Sequence, residues 1–422
     1  MTAVNLPPAL SAPAAALVLF RELVVANSTH PNNMLPRFLL LVIAHGLLLC
    51  SYGQSNALVV LATINLPRDA ATKSLLLDSL NGFLAQKENP VRDNPFVQEV
   101  DRLETGLLLE ELSGMEQSSR YKDAHFYKPY LLNCAPLNHT GFLVQLAYIG
   151  QLDNVPTTRA QFRLLAKQVG HQFYFSSPLK QNTTAWQHQQ IGSCQFFFKR
   201  TLNTSKATEY AKAVAAFDLK LKGDKSQLAL YCCDHFPEVM QLIGVDYKTD
   251  YNGSGSSSLS TCYGSDTLIV NSTGGAEFNN FDPHDLWHER LQNVMAREVV
   301  NKPVDEGCAY LYGGSWGISW SEILKSFKAK NAGRPETDWL RLYEDLHNFA
   351  DVQEKHLIAT YVINALLVQK IEKEHGFAGV MKLLGCGKYE KGNANYFEVL
   401  EKLTGINRSN FNAEIEKLVK AS

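Results

Sequence analysis

The apolar residues of this chain change their spacing twice, and that change limits the fold more than any other feature of its 422 residues. From about 56 to 120 they recur three and four apart. Leu75, Leu76 and Leu80 within Ala70 to Gln86, and Val97, Val100, Leu103 and Leu107 within Pro95 to Leu112, give the pattern of two amphipathic helices. Four aromatic, β-rich runs follow: "FYKPYLLNCAPLN", "GFLVQLAYIG", "AQFRLLAKQVGHQFYFSSPL" and "TAWQHQQIGSCQFFFKRTL". Separated by Asn, Gly and Pro turns, they predict one curved antiparallel sheet. Beyond 205 the spacing predicts a helix over Ser205 to Leu219, strands at "LALYCCD" and "DTLIVN", and a Gly/Ser-rich loop between them at "YNGSGSSSLS". From Trp320 onward the pattern is helical, with Gly376, Gly385, Gly387 and Gly405 just past apolar stretches, where a helix C-terminus favours Gly. The expected class is α+β: an N-terminal curved antiparallel sheet with helices over 56–204, then a mostly helical part with a small sheet over 205–422, preceded by a tail and targeting segment over 1–55.

Hydrophobic residues make up 45% of the chain, enough for two domains with proper cores. Forty basic residues against forty-two acidic ones leave a net charge of -2, which gives no electrostatic grip on nucleic acid or anionic lipid. The remaining partner classes are small molecules, peptides and proteins. Met34 to Arg37 form a short basic start, Phe38 to Leu49 a 12-residue apolar run, and Ser51 to Gln54 a small-residue exit. That is the secretory three-part pattern, too short to span a bilayer, and it predicts a secreted or periplasmic, cell-envelope protein whose signal peptide begins at Met34. A buried N-terminal helix is the bland alternative. Seven scattered cysteines follow, at 134, 194, 232, 233, 262, 308 and 386, with no CxxC. They read as small buried hydrophobes rather than a disulfide framework.

The chemistry concentrates in "HDLWHERLQNVMAREVVNKPVDEGCAYLYGG". His284 and His288 stand one helical turn apart, so both imidazoles project to one side and can bind one ion. Pro283 fits the first turn of the helix that carries them. Two histidines on a polar helix face would look the same, so the pair needs a third ligand. Glu306 follows 18 positions after His288, where a second helix could return it to the ion. A zinc site with three protein ligands keeps its fourth position for water.

In this pattern the chain resembles the gluzincin zinc peptidases, including the thermolysin-like and aminopeptidase-type enzymes, in which HExxH is followed by a Glu in an Asn-Glu-Gly or similar context. Asp305, Glu306 and Gly307 look like that element. Over roughly 205 to 422 the helical tail "YFEVLEKLTGINRSNFNAEIEKLV" is similar to that of peptidase MA-like domains. The resemblance implies Zn²⁺ on His284, His288 and Glu306, water activation by the residue at 285, and a helix carrying Tyr361, 15 positions before Gly376, whose hydroxyl steadies the oxyanion. His356 is a lesser candidate for that helper. Helices cradled by a curved sheet, in the N-terminal part, resemble the nuclear-transport-factor-2-like fold, which implies an apolar ligand pocket.

Two departures stand out. Only 17 residues separate His288 from Glu306, one fewer than the commonest aminopeptidase spacing, which turns the helix phase by about 100°. Asp285 also replaces the family's Glu, and its side chain is shorter by about 1.5 Å. Two functions therefore follow: a zinc metallopeptidase with an Asp base acting on peptide or protein, or a catalytically inactive relative that binds peptides in the envelope. "GGAEF" at 274–278 reads as a turn, although it resembles the element that grips a free amino terminus. "YGGSWGISW" could line a substrate cleft, or Trp316 and Trp320 could plug the core; Leu286 and Trp287 face the core.

Overall fold

Asp69 opens the first helix, its carboxylate accepting the Thr72 N–H at 2.7 Å. This helix, α1 (Ala70–Ala85), and α2 (Arg102–Leu112) match the two helical expectations, with one correction. The stretch from Pro95 to Asp101 is not helical but ends in a 3-10 turn at Glu99–Asp101. Pro95 disfavours helix at Asn94, and the Asn94 side chain takes the Phe96 N–H at 3.1 Å, a local bond that competes with the helical one. The computed structural model describes residues 57–223, 227–331, 337–350, 356–390 and 392–422; the expected targeting segment lies outside them. Among the described residues no helix is long and apolar enough to cross a membrane.

Strands β1 (Val59–Val60), β2 (Lys128–Asn138), β3 (Gly141–Leu152), β4 (Val155–Val169) and β5 (Gln172–Ser176) lie side by side in that order. All pairings but β1 with β2 are antiparallel. Register slips between Leu131 and Asn133 and between Tyr148 and Ile149 mark bulges, which bend the sheet. One face of the sheet carries Leu146, Tyr148, Phe162, Phe173 and Phe175 in one buried cluster with Leu80, Phe83 and Leu108 of the two helices. Phe83 and Phe175 meet with centroids 5.1 Å apart. These side chains pack into one apolar core where the resemblance implies a ligand pocket.

The fourth β-rich run does not join this sheet. It forms the hairpin β6 (Gln187–Ile191) and β7 (Cys194–Phe198) of a second sheet, with β8 (Leu228–Cys232), β10 (Ser258–Tyr263) and β11 (Asp266–Asn271), in the order β10-β11-β8-β7-β6. A helical turn at Leu179–Asn182 leads the chain away from β5, and β7 then pairs in parallel with β8 through the crossover helix α3 (Thr204–Leu221). The Gly/Ser-rich loop is shorter than expected, since its last residues begin β10. Helix α4 (Phe236–Ile243) leads to β9 (Val245–Lys248), which returns to pair with β4.

Both faces of the second sheet are covered. Phe196, Leu230, Cys232 and Ile269 enter a helical core, and Tyr231, Cys233, Leu268 and Val270 enter the core under the first sheet. Adjacent Cys232 and Cys233 thus point to opposite sides, as strand geometry requires. Double burial also explains why these strands read as unbroken apolar runs rather than alternating ones.

The rest is helical: α5 (Pro283–Gln292), α6 (Lys302–Gly313), α7 (Trp320–Asn331), α8 (Trp339–Glu344), α9 (Ala359–Leu384), α10 (Ala394–Thr404) and α11 (Phe411–Ala421). Gly376 interrupts α9 with φ of 65°, a left-handed conformation that suits Gly. The chain is α+β, with an N-terminal sheet region and a mostly helical C-terminal region carrying a small sheet.

Candidate metal centre

Helix α5 begins where its chemistry begins. Asp282 caps it by accepting the His284 N–H at 2.9 Å, and Pro283 takes the first turn. One face of the helix is buried through Leu286, Trp287 and Leu291, with the Trp287 ring edge-on to Phe217 of α3 at 5.6 Å. Arg290 is also buried, 1% exposed, and its Nε donates to Asp218 of α3 at 2.7 Å. Its guanidinium also donates to Thr267 Oγ1 of β11 at 3.2 Å. The opposite side of the helix presents His284 and His288 to α6.

Helix α6 crosses between α5 and α9 at close range because glycines stand at both contacts. A Cβ on Gly307 would lie 2.6 Å from Asn364 Cβ and 2.9 Å from the Ala365 backbone N. A Cβ on Gly313 would lie 2.5 Å from the His284 backbone N. We expect Gly307→Ala to push α6 off α9 and to destabilise the fold by about 1–3 kcal/mol in urea titration. A change under about 0.5 kcal/mol would mean the helices separate without strain.

This crossing brings Glu306 to the histidines despite the short spacing. Glu306 Oε2 lies 3.4 Å from His284 Nε2 and 3.9 Å from His288 Nε2, and the two Nε2 atoms are 3.2 Å apart. Ligands of a tetrahedral ion with bonds of 2.0–2.1 Å stand about 3.3 Å from one another, so these donors fit a divalent ion of that size. Among the described residues this is the one group of three or more His, Cys, Asp or Glu side chains close enough to share a metal ion.

The far side of each imidazole is fixed as well. His284 Nδ1 donates to the Gly314 carbonyl at 2.8 Å, and His288 Nδ1 donates to Asp305 Oδ2 at 2.9 Å. A carbonyl can only accept, so His284 carries a proton on Nδ1, and in the neutral ring its Nε2 lone pair faces the shared point. Such outer bonds orient metal-binding histidines and strengthen them as ligands. Asp305 also accepts the Trp287 indole N–H at 2.9 Å. In the metal-free state burial opposes charge on His284, but Glu306 and the Gly314 carbonyl outweigh it and raise its pKa. Burial likewise works to raise Glu306, and the hydrogen bond from His284 with the charges of His288 and Lys302 holds it below the usual range.

Asp285 follows the first ligand, and its side chain makes no hydrogen bond to the described residues. Its carboxyl is raised, first by loss of water and then by Asp282 and Glu306, against the lowering pull of both histidines. Tyr361 sits in the first turn of α9, edge-on to Tyr310 at 5.5 Å, and Tyr310 in turn lies 5.8 Å from the His284 ring. Burial, then Glu306 and Tyr310, pushes the Tyr361 hydroxyl up to about 12, so it stays protonated at neutral pH. His356 contributes through its backbone: its carbonyl accepts from Tyr310 Oη and from Trp316 Nε1, both at 3.2 Å. Trp316 is 53% exposed and does not plug the core. "GGAEF" is a turn, with Gly275 at φ of 68° and Phe278 buried in the helical core.

Sequence reasoning did not assign roles to Asp305, Gly314, Tyr310 or Glu289. An acid beside a ligating Glu was a visible signal for the first; the others depend on helix packing. Burial, with Asp285 one turn away, pushes Glu289 up to about 8 from 4.5. Between those two values the unfolded chain ionises while the folded one keeps its proton, so the folded state binds more protons and loses stability as pH rises from about 4.5 to about 8. In chelator-treated protein we expect Glu289→Gln to flatten that decline. Parallel stability curves for both proteins across this range would refute the assignment.

A cleft of about 310 Å³ opens on the ligands, lined by His288, Gln292, Arg297, Lys302, Asp305 and Glu306. A larger cavity, about 480 Å³, lies between the loop after α1 and the β10–β11 hairpin, but no histidine lines it. Donor chemistry, not size, marks the smaller cleft as the candidate site. Comparison with models of known families, with curated proteins and with solved structures finds no match to this chain.

Proposed function

We propose that the chain is an exported zinc metallopeptidase of gluzincin type, with peptide or protein as substrate. The observation that carries this reading is the convergence of His284 Nε2, His288 Nε2 and Glu306 Oε2, each histidine held through its Nδ1. Zinc bound there would polarise the scissile carbonyl and lower the pKa of water toward neutrality. Asp285 would take the proton from the attacking water and pass it to the amine that leaves as the peptide C–N bond breaks. Tyr361 donates its hydroxyl proton in a hydrogen bond to the carbonyl oxygen as negative charge builds. The N-terminal apolar run supports export, and the N-terminal sheet packed on its two helices supports a nuclear-transport-factor-2-like domain that serves as a ligand or partner module.

A second reading, a silent peptide-binding relative, is favoured by one observation: Asp285 is short and has no hydrogen bond to aim it. A displacement of about 1 Å in a catalytic group can cost on the order of a hundredfold in rate. Zinc-loaded protein and its Asp285→Glu and Asp285→Ala variants should therefore be given a peptide library with and without chelator. Chelator-sensitive cleavage that rises by about a hundredfold with Glu and disappears with Ala is the result expected of the peptidase. Zinc-loaded wild type and Asp285→Glu proteins that cut nothing would leave the binding reading.

A further inference from the structure

The cleft beside the ligands carries two positive side chains that are not themselves metal ligands, although the charge of Lys302 also acts on Glu306. Lys302 stands at the first position of α6 and Arg297 in the loop before it; both are exposed, and both line the 310 Å³ cleft with His288 and Glu306. Neither forms an ion pair among the described residues. Arg297 donates to Gln292 Oε1 at 2.7 Å, a neutral partner on the same cleft wall. The acids nearby are already committed. Asp305 accepts from His288 and Trp287, and Glu306 faces both imidazoles. Glu110 feels the charge of Arg297 but accepts the Thr261 hydroxyl at 2.6 Å. The positive end of the α6 dipole adds to the same field.

Building on the peptidase reading, we infer that this cleft selects peptides that place a carboxylate next to the metal, with Lys302 and Arg297 as its partners. The carboxylate comes either from an Asp or Glu side chain or from a free peptide C-terminus, and the two sources share the same chemistry. A cleft floored by two unpaired cations penalises a basic residue in that place, so the selection works by repulsion as well as attraction. An exposed ion pair contributes up to about fivefold in affinity, and two of them together up to about 25-fold.

The test uses four fluorescent peptides of one backbone: Glu-containing with an amidated end, Gln-containing with a free carboxyl end, Gln-containing and amidated, and Lys-containing and amidated. Their binding to the zinc-loaded protein is read by anisotropy, and their cleavage by chromatography. The expected result is that one of the two carboxylate peptides binds at least about tenfold tighter than the Lys peptide, and the responsive one names the source. The double variant Lys302→Glu, Arg297→Glu should remove or invert that order while zinc content is unchanged. Lys302→Arg should retain it. Equal binding of all four peptides, or an order that survives the charge reversal with zinc still bound, overturns the inference. Should no peptide be cut while the order in binding holds, the peptidase reading fails and the carboxylate site stands.

Discussion

Zinc content is expected to fall from about one ion per chain to none in the His288→Ala protein. The reason is geometric: the remaining donors, His284 Nε2 and Glu306 Oε2, are 3.4 Å apart and supply only two of the three protein ligands that such a site needs. The outer partner allows a graded version of the same experiment. Asp305→Ala leaves all three donors in place but frees the His288 ring, whose Nδ1 then loses its acceptor. Removing outer partners of this kind weakens metal binding by about 10–100-fold. The order expected in chelator competition is therefore wild type, then Asp305→Ala, then His288→Ala with no bound ion. Stoichiometric zinc in His288→Ala would show that the three donors do not form the site, and the peptidase reading would go with it.

Loss of Arg290 should damage the fold more than any other single change near the site. Its guanidinium lies under the metal-facing helix, bonded to Asp218 of α3 and Thr267 of β11, and so joins α5 to the crossover helix and to the shared sheet. Truncation to Ala leaves the Asp218 carboxylate, itself largely buried, without its cation. Breaking a buried pair from one side typically costs about 3–5 kcal/mol, because the remaining charge is left in low dielectric. Replacing both partners together, Arg290→Met with Asp218→Leu, should recover much of that loss. Urea unfolding of the three proteins measures it, and a loss under about 1 kcal/mol for Arg290→Ala would show that water reaches Asp218 freely.

The parts that were legible in the sequence are those fixed by short-range geometry. The four-residue spacing of His284 and His288 determines that they share a helix face, and the spacing of Leu75, Leu76 and Leu80 gives the helix that buries Leu76 and Leu80. The placement of the β6–β7 hairpin was not legible. Locally it reads like the hairpins before it, and its sheet is decided by a parallel partner, β8, that follows a whole helix later. An acid next to Glu306 was visible, but which ring it meets was hidden for a similar reason. It depends on how α6 rolls against α5, and that roll is set by backbone contacts at Gly307 and Gly313 with residues distant in the chain. A spacing one residue shorter than the commonest aminopeptidase one still brings Glu306 beside the histidines, because residues 293–301 form a non-helical connection that resets the phase.

The two imidazoles are oriented by different kinds of partner, and this makes the centre unequal in the face of random mutation. One ring leans on a main-chain carbonyl, at Gly314, which every residue type possesses; the other leans on the side chain of Asp305, which a single nucleotide change can remove. Loss of the Asp305 side chain thus frees one ring outright, whereas the other ring loses its acceptor only if the backbone at Gly314 moves.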